Sequence, residues 1–427
     1  MRVCFVALNA YPAIDPLVSG PIGGIETRSW MLARALAHWP NVEMQFVVRH
    51  HQALRQTTYD GVQLIPLIDP LYPHWQAVGH ALERRAGFPW VRIRQFHPQL
   101  LWQVPRLALD RLIRGRIYAA ELPDARLAAL QPDIYATFGV QTHSAVVIRS
   151  AQQAGRPAVL LLGSDGDLHP LFESGGQGTD PYGTRAETGR FILSAADRII
   201  VQTAAQQERL KTVFGRDSQL LLSPIDVLEW DRLRLTPLVE VPVQGLDRFV
   251  LWIGRAEDLH KRPQLCLDVA REAPDIPFLM VMNPRDRAVE ERIRRTAPPN
   301  VRIVDRVPFP QMPALFARAA AFLSTSRLEG FPNVFLQAAL SGVPIVSLDV
   351  GGSFLKASRA GVCTGDDLAA AAAALMRFHR GQLGTHYQAA VAREYVFEYH
   401  ALTTQVALLE GWLRDVIANE ARVDREE

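Results

Sequence analysis

Apolar positions along this chain follow two patterns that alternate from one end to the other. Short runs of consecutive apolar residues predict buried strands, and segments with an apolar residue every three to four positions predict helices between them. The predicted strands cover residues 1–8, 44–48, 62–67, 132–138, 157–163, 198–202, 219–222, 249–254, 278–282, 301–307, 321–325 and 343–348. Because strands that alternate with helices form parallel sheets with helices on both faces, the pattern predicts an α/β fold.

One segment interrupts this alternation and suggests where the chain divides. Residues 237–245 combine prolines and a glycine with valines, a composition typical of a linker. We therefore predict two doubly wound Rossmann-like domains that face a cleft, formed by residues 1–236 and 237–400. Residues 387–417 are predicted to be helical.

Composition excludes several classes of protein. The chain has 427 residues, 48% of them hydrophobic, which is enough for two cores, and its formal net charge of +2 gives no indication of a nucleic-acid partner. Cys4, Cys266 and Cys363 lie far apart in apolar runs, which predicts buried thiols in a reducing compartment and no metal finger. The first apolar run is too short for a signal peptide and no run is long enough to span a membrane, so we expect a cytoplasmic protein.

The segment between the last two predicted strands carries the most specific chemistry. Glu329 and Gly330 lie in a loop behind the first strand, and a helix follows with Asn333 as its predicted N-cap and Gly342 as its end. Ligands of parallel sheets bind beyond the carboxyl ends of the strands, where a helix N-terminus offers free N–H groups. We therefore expect Glu329 to accept hydrogen bonds from hydroxyl groups, such as those of a sugar.

A lysine follows the strand 249–254 in a position that calls for an explanation. Lysine occurs only at positions 211, 261 and 356, so arginine is the usual cation of this chain. Lys261 comes soon after the carboxyl end of its strand, with Arg255 closer to that end. None of the three lysines follows a glycine, which excludes a Walker A loop.

The sequence Glu-Gly-Phe-Pro-Asn at 329–333, followed by a helix of small residues and then Gly-Val-Pro, resembles the donor loop of family 4 retaining glycosyltransferases, which have the GT-B fold. The resemblance implies transfer of a hexose from a UDP- or GDP-sugar to a glycan, lipid-linked or small-molecule acceptor, without a metal or other cofactor. It assigns the diphosphate to Arg255 and Lys261, where charge grows as the glycosyl bond breaks. It assigns the sugar hydroxyls to Glu329.

The same resemblance implies further donor contacts, one of which departs from the family pattern. The loop formed by Gly330, Phe331, Pro332 and Asn333 would surround other donor oxygens, and the backbone near Val307 would hold the base. Gln337 stands where the family has a second glutamate that contacts the ribose; an amide still donates and accepts there, but the charge is lost. The carboxyl-terminal segment 401–427 would pack back on the first domain.

In the first half, a glycine-rich turn precedes the first long helix. Residues 20–26 include Gly23 and Gly24, but their order is not that of the dinucleotide fingerprint. Glycines let the backbone approach a diphosphate closely. The turn resembles the family's N-terminal loop, which faces the donor.

Polar residues after two other strands leave alternatives open. His143 and Asp165 are candidates for the acceptor side. Asp165 and Asp167 could also bind a divalent metal in a metal-dependent transferase, or both could cap the turn that follows them. The loss of charge at Gln337 also fits a catalytically impaired protein that only binds nucleotide sugars. A nucleotide-sugar epimerase of the same fold is a further alternative.

The segment 84–126 differs from the rest of the chain in charge. It has nine arginines and three acidic residues, and Phe88, Trp90, Phe96 and Trp102 lie between the arginines. Such a surface could contact an anionic membrane, as a peripheral protein at its inner face would, or bind a phosphate-bearing acceptor. A solvated basic pair of helices explains the composition equally well.

Overall fold

The computed structural model describes residues 1–15, 17–18, 20, 23–84, 88–93, 95–113, 120–238, 243, 245–327 and 329–426. Contacts divide the chain into two compact units. The amino-terminal unit comprises residues 1–220 and 408–427, and the carboxyl-terminal unit comprises residues 221–407. A parallel sheet forms the centre of each unit, so the α/β class predicted from the alternating pattern is confirmed.

The amino-terminal unit contains an eight-stranded sheet in the order β10-β9-β8-β7-β1-β2-β4-β3. Its pairs are parallel except for β3 with β4, which is antiparallel. A separate antiparallel pair joins β5 to β6. The strands are β1 (Arg2–Val6), β2 (Glu43–His50), β3 (Thr58–Tyr59), β4 (Val62–Ile68), β5 (Leu82–Arg84), β6 (Val91–Ile93), β7 (Ile134–Phe138), β8 (Ala158–Leu161), β9 (Arg198–Val201) and β10 (Gln219–Leu220).

Helices connect these strands and cover the sheet. They are α1 (Tyr11–Ile14), α2 (Gly24–Ala37), α3 (Tyr72–Ala81), α4 (Leu100–Ile113), α5 (Ala125–Ala128), α6 (Thr142–Gln153), α7 (Ala186–Ala195) and α8 (Ala204–Phe214), with 3₁₀ turns at Asp165–Leu168 and Pro170–Phe172. Every residue of β7 and β8 is buried, as is usual for central parallel strands covered on both faces.

The carboxyl-terminal unit contains a six-stranded, fully parallel sheet in the order β13-β12-β11-β14-β15-β16. Its strands are β11 (Phe249–Arg255), β12 (Phe278–Asn283), β13 (Val301–Val304), β14 (Ala319–Ser324), β15 (Ile345–Ser347) and β16 (Gly361–Cys363). The remaining helices are α9 (Val227–Arg234), α10 (Pro263–Glu272), α11 (Arg287–Thr296), α12 (Met312–Arg318), α13 (Asn333–Leu340), α14 (Gly352–Ser358), α15 (Leu368–His379), α16 (Ala389–His400) and α17 (Leu402–Glu426), with a 3₁₀ turn at Phe309–Gln311.

Both sheets contain a point at which the strand order reverses. In the amino-terminal sheet this switch point lies between β1 and β7, and in the carboxyl-terminal sheet it lies between β11 and β14. Connections leave in opposite directions on the two sides of such a point, which opens a crevice at the carboxyl ends of the strands. The loops behind these four strands are therefore the first places to search for a site.

Several boundaries differ from those predicted. Contacts divide the chain after residue 220, whereas the sequence suggested 236. The physical reason is α9, which the sequence analysis missed: its Trp230 is buried against Phe316 of the carboxyl-terminal unit. Of the predicted linker, residues 239–242 and 244 lie outside the described residues. The predicted tail helix is two helices, α16 and α17, and residues 408–427 group with the amino-terminal unit.

Two local predictions were also wrong. Asn333 is the first residue of α13 and Pro332 occupies the N-cap position, so the predicted cap is displaced by one residue. Cys4 and Cys266 are buried free thiols, but Cys363 is exposed. Its strand, β16, was not predicted and is the outermost strand of the sheet. Because one edge of such a strand is open to solvent, the apolar run around Cys363 did not indicate a buried thiol.

Candidate functional site

Lys261 and Glu329 meet at the switch point of the carboxyl-terminal sheet. Lys261 follows β11 and Glu329 follows the neighbouring β14, so adjacent strands deliver both side chains to the same edge of the sheet. The Lys261 ammonium donates to the Glu329 carboxylate and, at 3.4 Å, to the Ser326 hydroxyl. The two side chains are only 18% and 17% exposed. The structure therefore brings together two residues, 68 positions apart, that the sequence analysis singled out separately.

Hydrogen bonds between the two loops hold this pair in place. The Thr325 hydroxyl donates to the Lys261 carbonyl at 2.6 Å and accepts from the Trp252 indole N–H at 2.9 Å. On the other side, the Arg327 amide donates to the His260 carbonyl at 2.7 Å. Because a side chain on β11 and the backbone of both loops share these bonds, the separation of Lys261 and Glu329 is set by the sheet.

Arg262, which the sequence analysis did not identify, connects this loop to a more distant part of the unit. It has a left-handed backbone, with φ 47°, and directly precedes Pro263 at the start of α10. Its guanidinium donates to the Thr325 carbonyl at 2.7 Å and forms an ion pair with Asp366 at 2.9 Å. Hydrogen bonding to Arg262 lowers the pKa of Asp366, so the pair is charged over the ordinary pH range.

Arg255 occupies the predicted position but has a different partner. It is the last residue of β11, its side chain is 41% exposed, and its guanidinium pairs with Glu257 at 3.1 Å. The structure thus places Arg255 at the same edge of the sheet without joining it to the Lys261–Glu329 pair. Val307, the predicted base contact, lies beyond β13 and is buried.

Helix α13 carries the remaining candidates behind Glu329. Its first residue, Asn333, follows Gly330, Phe331 and Pro332 in the same loop. The side-chain oxygen of Gln337 is buried and has no hydrogen-bond partner among the described residues. An unsatisfied buried acceptor is rare and costs free energy, so it calls for a reason, such as a missing ligand.

A buried histidine fixes Phe331, and no sequence signal pointed to it. The His400 ring stacks on the Phe331 ring, with centroids 5.3 Å apart and planes 25° apart. Its Nδ1 donates to the Ser223 carbonyl at 2.8 Å. Burial lowers the pKa of His400 to about 4, so the ring is neutral near pH 7. Since Ser223 and His400 are far apart in sequence, only the fold reveals this contact.

In the amino-terminal unit, Gly23 and Gly24 lie at the start of α2. The Gly23 N–H donates to the Glu26 carboxylate at 2.9 Å in a capping box. A side chain at Gly23 would meet that carboxylate at 2.7 Å, whereas Gly24 has open space around it. Pro21 and Ile22 of the predicted glycine-rich turn lie outside the described residues. The capping box alone therefore accounts for a glycine at position 23, without a bound ligand.

His143 and the two aspartates follow the central strands of the same sheet. His143 is the second residue of α6, and burial, assisted by the charge of Arg49, lowers its pKa to about 4. Asp167 accepts from the amides of Val140, Gly163 and Ser164 at 2.7, 2.5 and 3.0 Å. Asp165 is exposed and accepts from the Gln206 side chain at 2.8 Å.

These contacts bear on the metal-binding alternative. Both oxygens of Asp167 are occupied by amide donors, which ties the loop after β7 to the loop after β8 and accounts for the residue structurally. Burial raises the pKa of Asp167, against the lowering effect of its three amide donors. Within the described part of the chain, no group of three or more histidine, cysteine or acidic side chains is arranged to hold a metal ion.

The segment 84–126 exposes large apolar side chains next to arginines. Arg85, Arg94, Arg114 and Arg116 lie outside the described residues, as does the side chain of Arg84. Among the described ones, Arg92, Arg106 and Arg111 are exposed. We call residues 88–112 the basic apolar surface; its exposed apolar side chains are Phe88, Trp90, Val91, Ile93, Phe96, Leu101, Trp102, Val104, Leu109 and Leu112. Among the helices as far as they are described, none is long and apolar enough to cross a membrane.

Comparison with known proteins identifies the segment that contains Lys261, Glu329 and Gln337. Residues 247–380 match the family model described as glycosyl transferases group 1. This segment is a group 1 glycosyltransferase domain. The resemblance noted at residues 329–333 is thereby confirmed, and the domain includes both β11 and β14 of the switch point. A search of curated proteins finds no match.

Solved structures similar to the whole chain are glycosyltransferases of the GT-B fold, so this fold is confirmed as well. Sucrose-phosphate synthase from Thermosynechococcus elongatus has a TM-score of 0.69 at 16% identity and covers 98% of this chain and 99% of its own. Anabaena HepE, solved with UDP and glucose, has a TM-score of 0.62 at 15% identity, covering 97% and 100%. The galactosyltransferase WaaB has a TM-score of 0.54 at 14% identity, covering 99% and 100%.

Proposed function

We propose that this protein transfers a hexose from a UDP- or GDP-sugar to a glycan, lipid-linked or small-molecule acceptor, with retention of configuration and without a metal ion. The observation that carries the proposal is the Lys261–Glu329 pair at the switch point of the group 1 domain. An ammonium and a carboxylate side by side match the two ends of a sugar diphosphate, which offers negative oxygens and hydroxyl donors. The presence of UDP and glucose in the HepE structure supports the choice of donor.

Each residue then has a separate role in the reaction. Lys261 would exchange its contact with Glu329 for the diphosphate, with Arg255 as the second cation, and the two would receive the charge that develops as the glycosyl bond breaks. Glu329, released from Lys261, would accept hydrogen bonds from the sugar hydroxyls. The unsatisfied oxygen of Gln337 would accept from a ribose hydroxyl. The leaving phosphate would itself take the acceptor's proton, as is proposed for family 4, so we assign no protein base.

Replacing Lys261 tests this assignment. Removal of one preorganised donor typically lowers the rate ~10²–10³-fold, so we expect Lys261→Ala to lose transfer by at least that much. Lys211→Ala is the matched control, because that lysine pairs with Asp217 on the surface of the amino-terminal unit. Donor turnover and the urea midpoint should be measured together. Near-normal turnover by a folded Lys261→Ala protein would exclude the assignment.

Chelation separates this mechanism from the metal-dependent alternative. We expect full activity in EDTA, because two cationic side chains take the place of a metal at the diphosphate. Asp165→Asn should leave the response to EDTA unchanged, since this carboxylate accepts from Gln206 and belongs to no metal-holding group among the described residues. Loss of activity in EDTA that Mn²⁺ or Mg²⁺ restores would contradict the mechanism.

We also propose that the basic apolar surface binds an anionic lipid membrane. Exposed tryptophan, phenylalanine and leucine next to Arg92, Arg106 and Arg111 combine the apolar and cationic groups that such membranes attract. Such a surface would suit a peripheral enzyme that acts on a lipid-linked acceptor.

Vesicle sedimentation tests this second proposal. Binding to phosphatidylglycerol vesicles should weaken roughly tenfold in Leu101→Ser with Leu112→Ser, and similarly in Arg106→Gln with Arg111→Gln. Leu228→Ser is the control, because Leu228 is equally exposed but lies on α9. Equal binding to neutral and anionic vesicles would contradict the proposal.

A further inference from the structure

A cavity of about 330 Å³ lies within the amino-terminal unit, at the carboxyl ends of three neighbouring strands. Leu8 and Asn9 follow β1, Arg49 and His50 end β2, and Tyr72 begins α3 after β4. Strands β1, β2 and β4 are adjacent and parallel, so their ends lie side by side. The cavity is at the small end of the range of ligand pockets, roughly 300–1,000 Å³.

The lining of this cavity is cationic. Its described residues include Arg49 and Arg55, with His50 and His51 beside them, but no aspartate or glutamate. Burial and the charge of His50 lower the pKa of His51, so the two arginines carry the charge. Asp15, on whose carboxylate the charge of Arg55 acts, is buried and already accepts from the Leu17 amide at 2.9 Å and from the Tyr59 hydroxyl at 3.0 Å. A pocket whose described lining contains two arginines, two histidines and no acid favours an anion.

The other polar groups of the cavity are preorganised. Asn9 Oδ1 accepts from the Arg49 guanidinium at 3.0 Å and from the Tyr72 hydroxyl at 3.3 Å, and Gln76 donates to that hydroxyl at 2.7 Å. The Arg49 guanidinium also lies over the Tyr72 ring, 4.3 Å from its centroid. These contacts hold a planar cation in a fixed orientation, which is what bidentate binding of a phosphate requires.

The cavity also adjoins the predicted acceptor side. Asn9 of its lining follows β1, which pairs with β7, and His143 opens α6 behind β7 at the switch point of this sheet. A ligand whose anionic end lay against Arg49 and Arg55 would therefore extend toward the crevice that contains His143.

We infer that the phosphate group of a phosphorylated acceptor binds in this cavity, held by Arg49 and Arg55 with His50 and His51 beside it. The identification of the ligand as an acceptor rests on the proposed transfer; the phosphate site itself does not. Asn9, Gln76 and Tyr72 supply polar groups for the hydroxyls of the same molecule. The phosphate could come from a sugar phosphate or from a prenyl diphosphate.

Calorimetric titration of the full chain tests the inference with three ligands: inorganic phosphate, a hexose 6-phosphate and geranyl diphosphate. We expect Arg55→Gln to weaken binding of every ligand that binds by roughly tenfold, the usual effect of losing one charge-assisted contact. Arg34→Gln is the control, because Arg34 pairs with Asp60 on the surface of the same unit. Whichever ester binds more tightly than inorganic phosphate identifies the source of the phosphate.

Arg55 is exposed, so its replacement leaves the fold intact. His51→Gln provides a second variant, for which we expect a smaller loss in the same direction. Failure of all three ligands to bind, or equal weakening in Arg34→Gln and Arg55→Gln, would overturn the inference. The thermal shift caused by UDP, measured on the same proteins, keeps the two proposals separate. If UDP shifts the melting temperature but phosphate does not bind, only the phosphate site is rejected. If phosphate binding depends on Arg55 but UDP causes no shift, only the donor assignment is rejected.

Discussion

Gln337 has a buried side-chain oxygen that no other described group satisfies, although it stands on the helix directly behind Glu329. Because this helix follows the loop of Glu329, we propose that the donor supplies the missing partner. We expect Gln337→Leu to leave the free energy of unfolding within about 0.5 kcal/mol, because an apolar side chain of similar shape removes no bond. The donor KM should rise roughly tenfold through the lost ribose contact.

Gln206 is the control for this experiment. Its oxygen accepts from the Gln202 amide at 2.8 Å and its nitrogen donates to Asp165 at 2.8 Å. Gln206→Leu should therefore cost about 1–3 kcal/mol in urea unfolding and leave the donor KM unchanged. Gln337→Glu tests the alternative that the protein only binds nucleotide sugars. Tighter donor binding together with new turnover in this variant would mean that the natural glutamine prevents catalysis.

His400 predicts how stability depends on pH. Its pKa is about 4 in the folded protein against an ordinary value of 6.5, so the unfolded chain binds the extra proton between those two values. Stability should therefore fall as pH decreases from about 6.5 to about 4, by roughly 3 kcal/mol at most from this residue. His400→Asn keeps a donor near the Ser223 carbonyl but cannot titrate. Urea unfolding at pH 7 and pH 4.5 should give a smaller difference in that variant, and an unchanged difference would refute the assignment.

At the scale of elements, the contact between α13 and α14 depends on one glycine. Gly351 has φ 77°, and a Cβ there would lie 2.4 Å from a ring carbon of Phe335 on α13. We expect Gly351→Ala to destabilise the protein by about 1–3 kcal/mol and to raise the donor KM, because Phe335 must move and its helix carries Gln337. The neighbouring Gly352→Ala is the control: its Cβ would approach no atom closer than 3.6 Å. Equal melting temperatures for the two variants would contradict this explanation.

The strands buried on both faces were predictable from the sequence, and two of the edge strands were not. Strands such as β7 and β14 are continuous apolar runs because helices cover both sides of the sheet. At the edges of the two large sheets, β10 and β13 were predicted, whereas β3 and β16 were missed, because neither forms an apolar run as long as those of the central strands. Helix α9 was missed for a different reason: Val227, Trp230 and Leu233 form its buried face at a spacing of three residues, but the helix spans only eight positions and charged residues separate them.

Some residues of the candidate site could likewise be predicted from the sequence, and others could not. Lys261 and Glu329 could be found because each follows an apolar strand in a loop of unusual composition. Arg262 and Asp366 could not, because 104 residues separate them and an arginine beside a proline is unremarkable in this chain. The partners of Arg255 and the aspartates likewise required coordinates, since a residue's position at a strand end does not determine which neighbour it contacts.

At the scale of the whole molecule, each unit has its own sheet and its own apolar core. A ligand that binds one unit should therefore stabilise that unit first. UDP at a hundredfold excess over its Kd adds about 2.7 kcal/mol to the stability of the state it binds. In hydrogen exchange we expect amides of β11 and β12 to slow by up to about a hundredfold, and those of β1 and β7 to change little.

Inorganic phosphate provides the reverse experiment. If the cationic cavity binds it, saturating phosphate should slow exchange in β1 and β2 and leave β11 and β12 unchanged. Lys261→Ala should lose the UDP effect and keep the phosphate effect, whereas Arg55→Gln should do the opposite. Equal protection of both units by either ligand would mean that they unfold as one cooperative structure or that the ligand contacts both. Each variant thus serves as the control for the other.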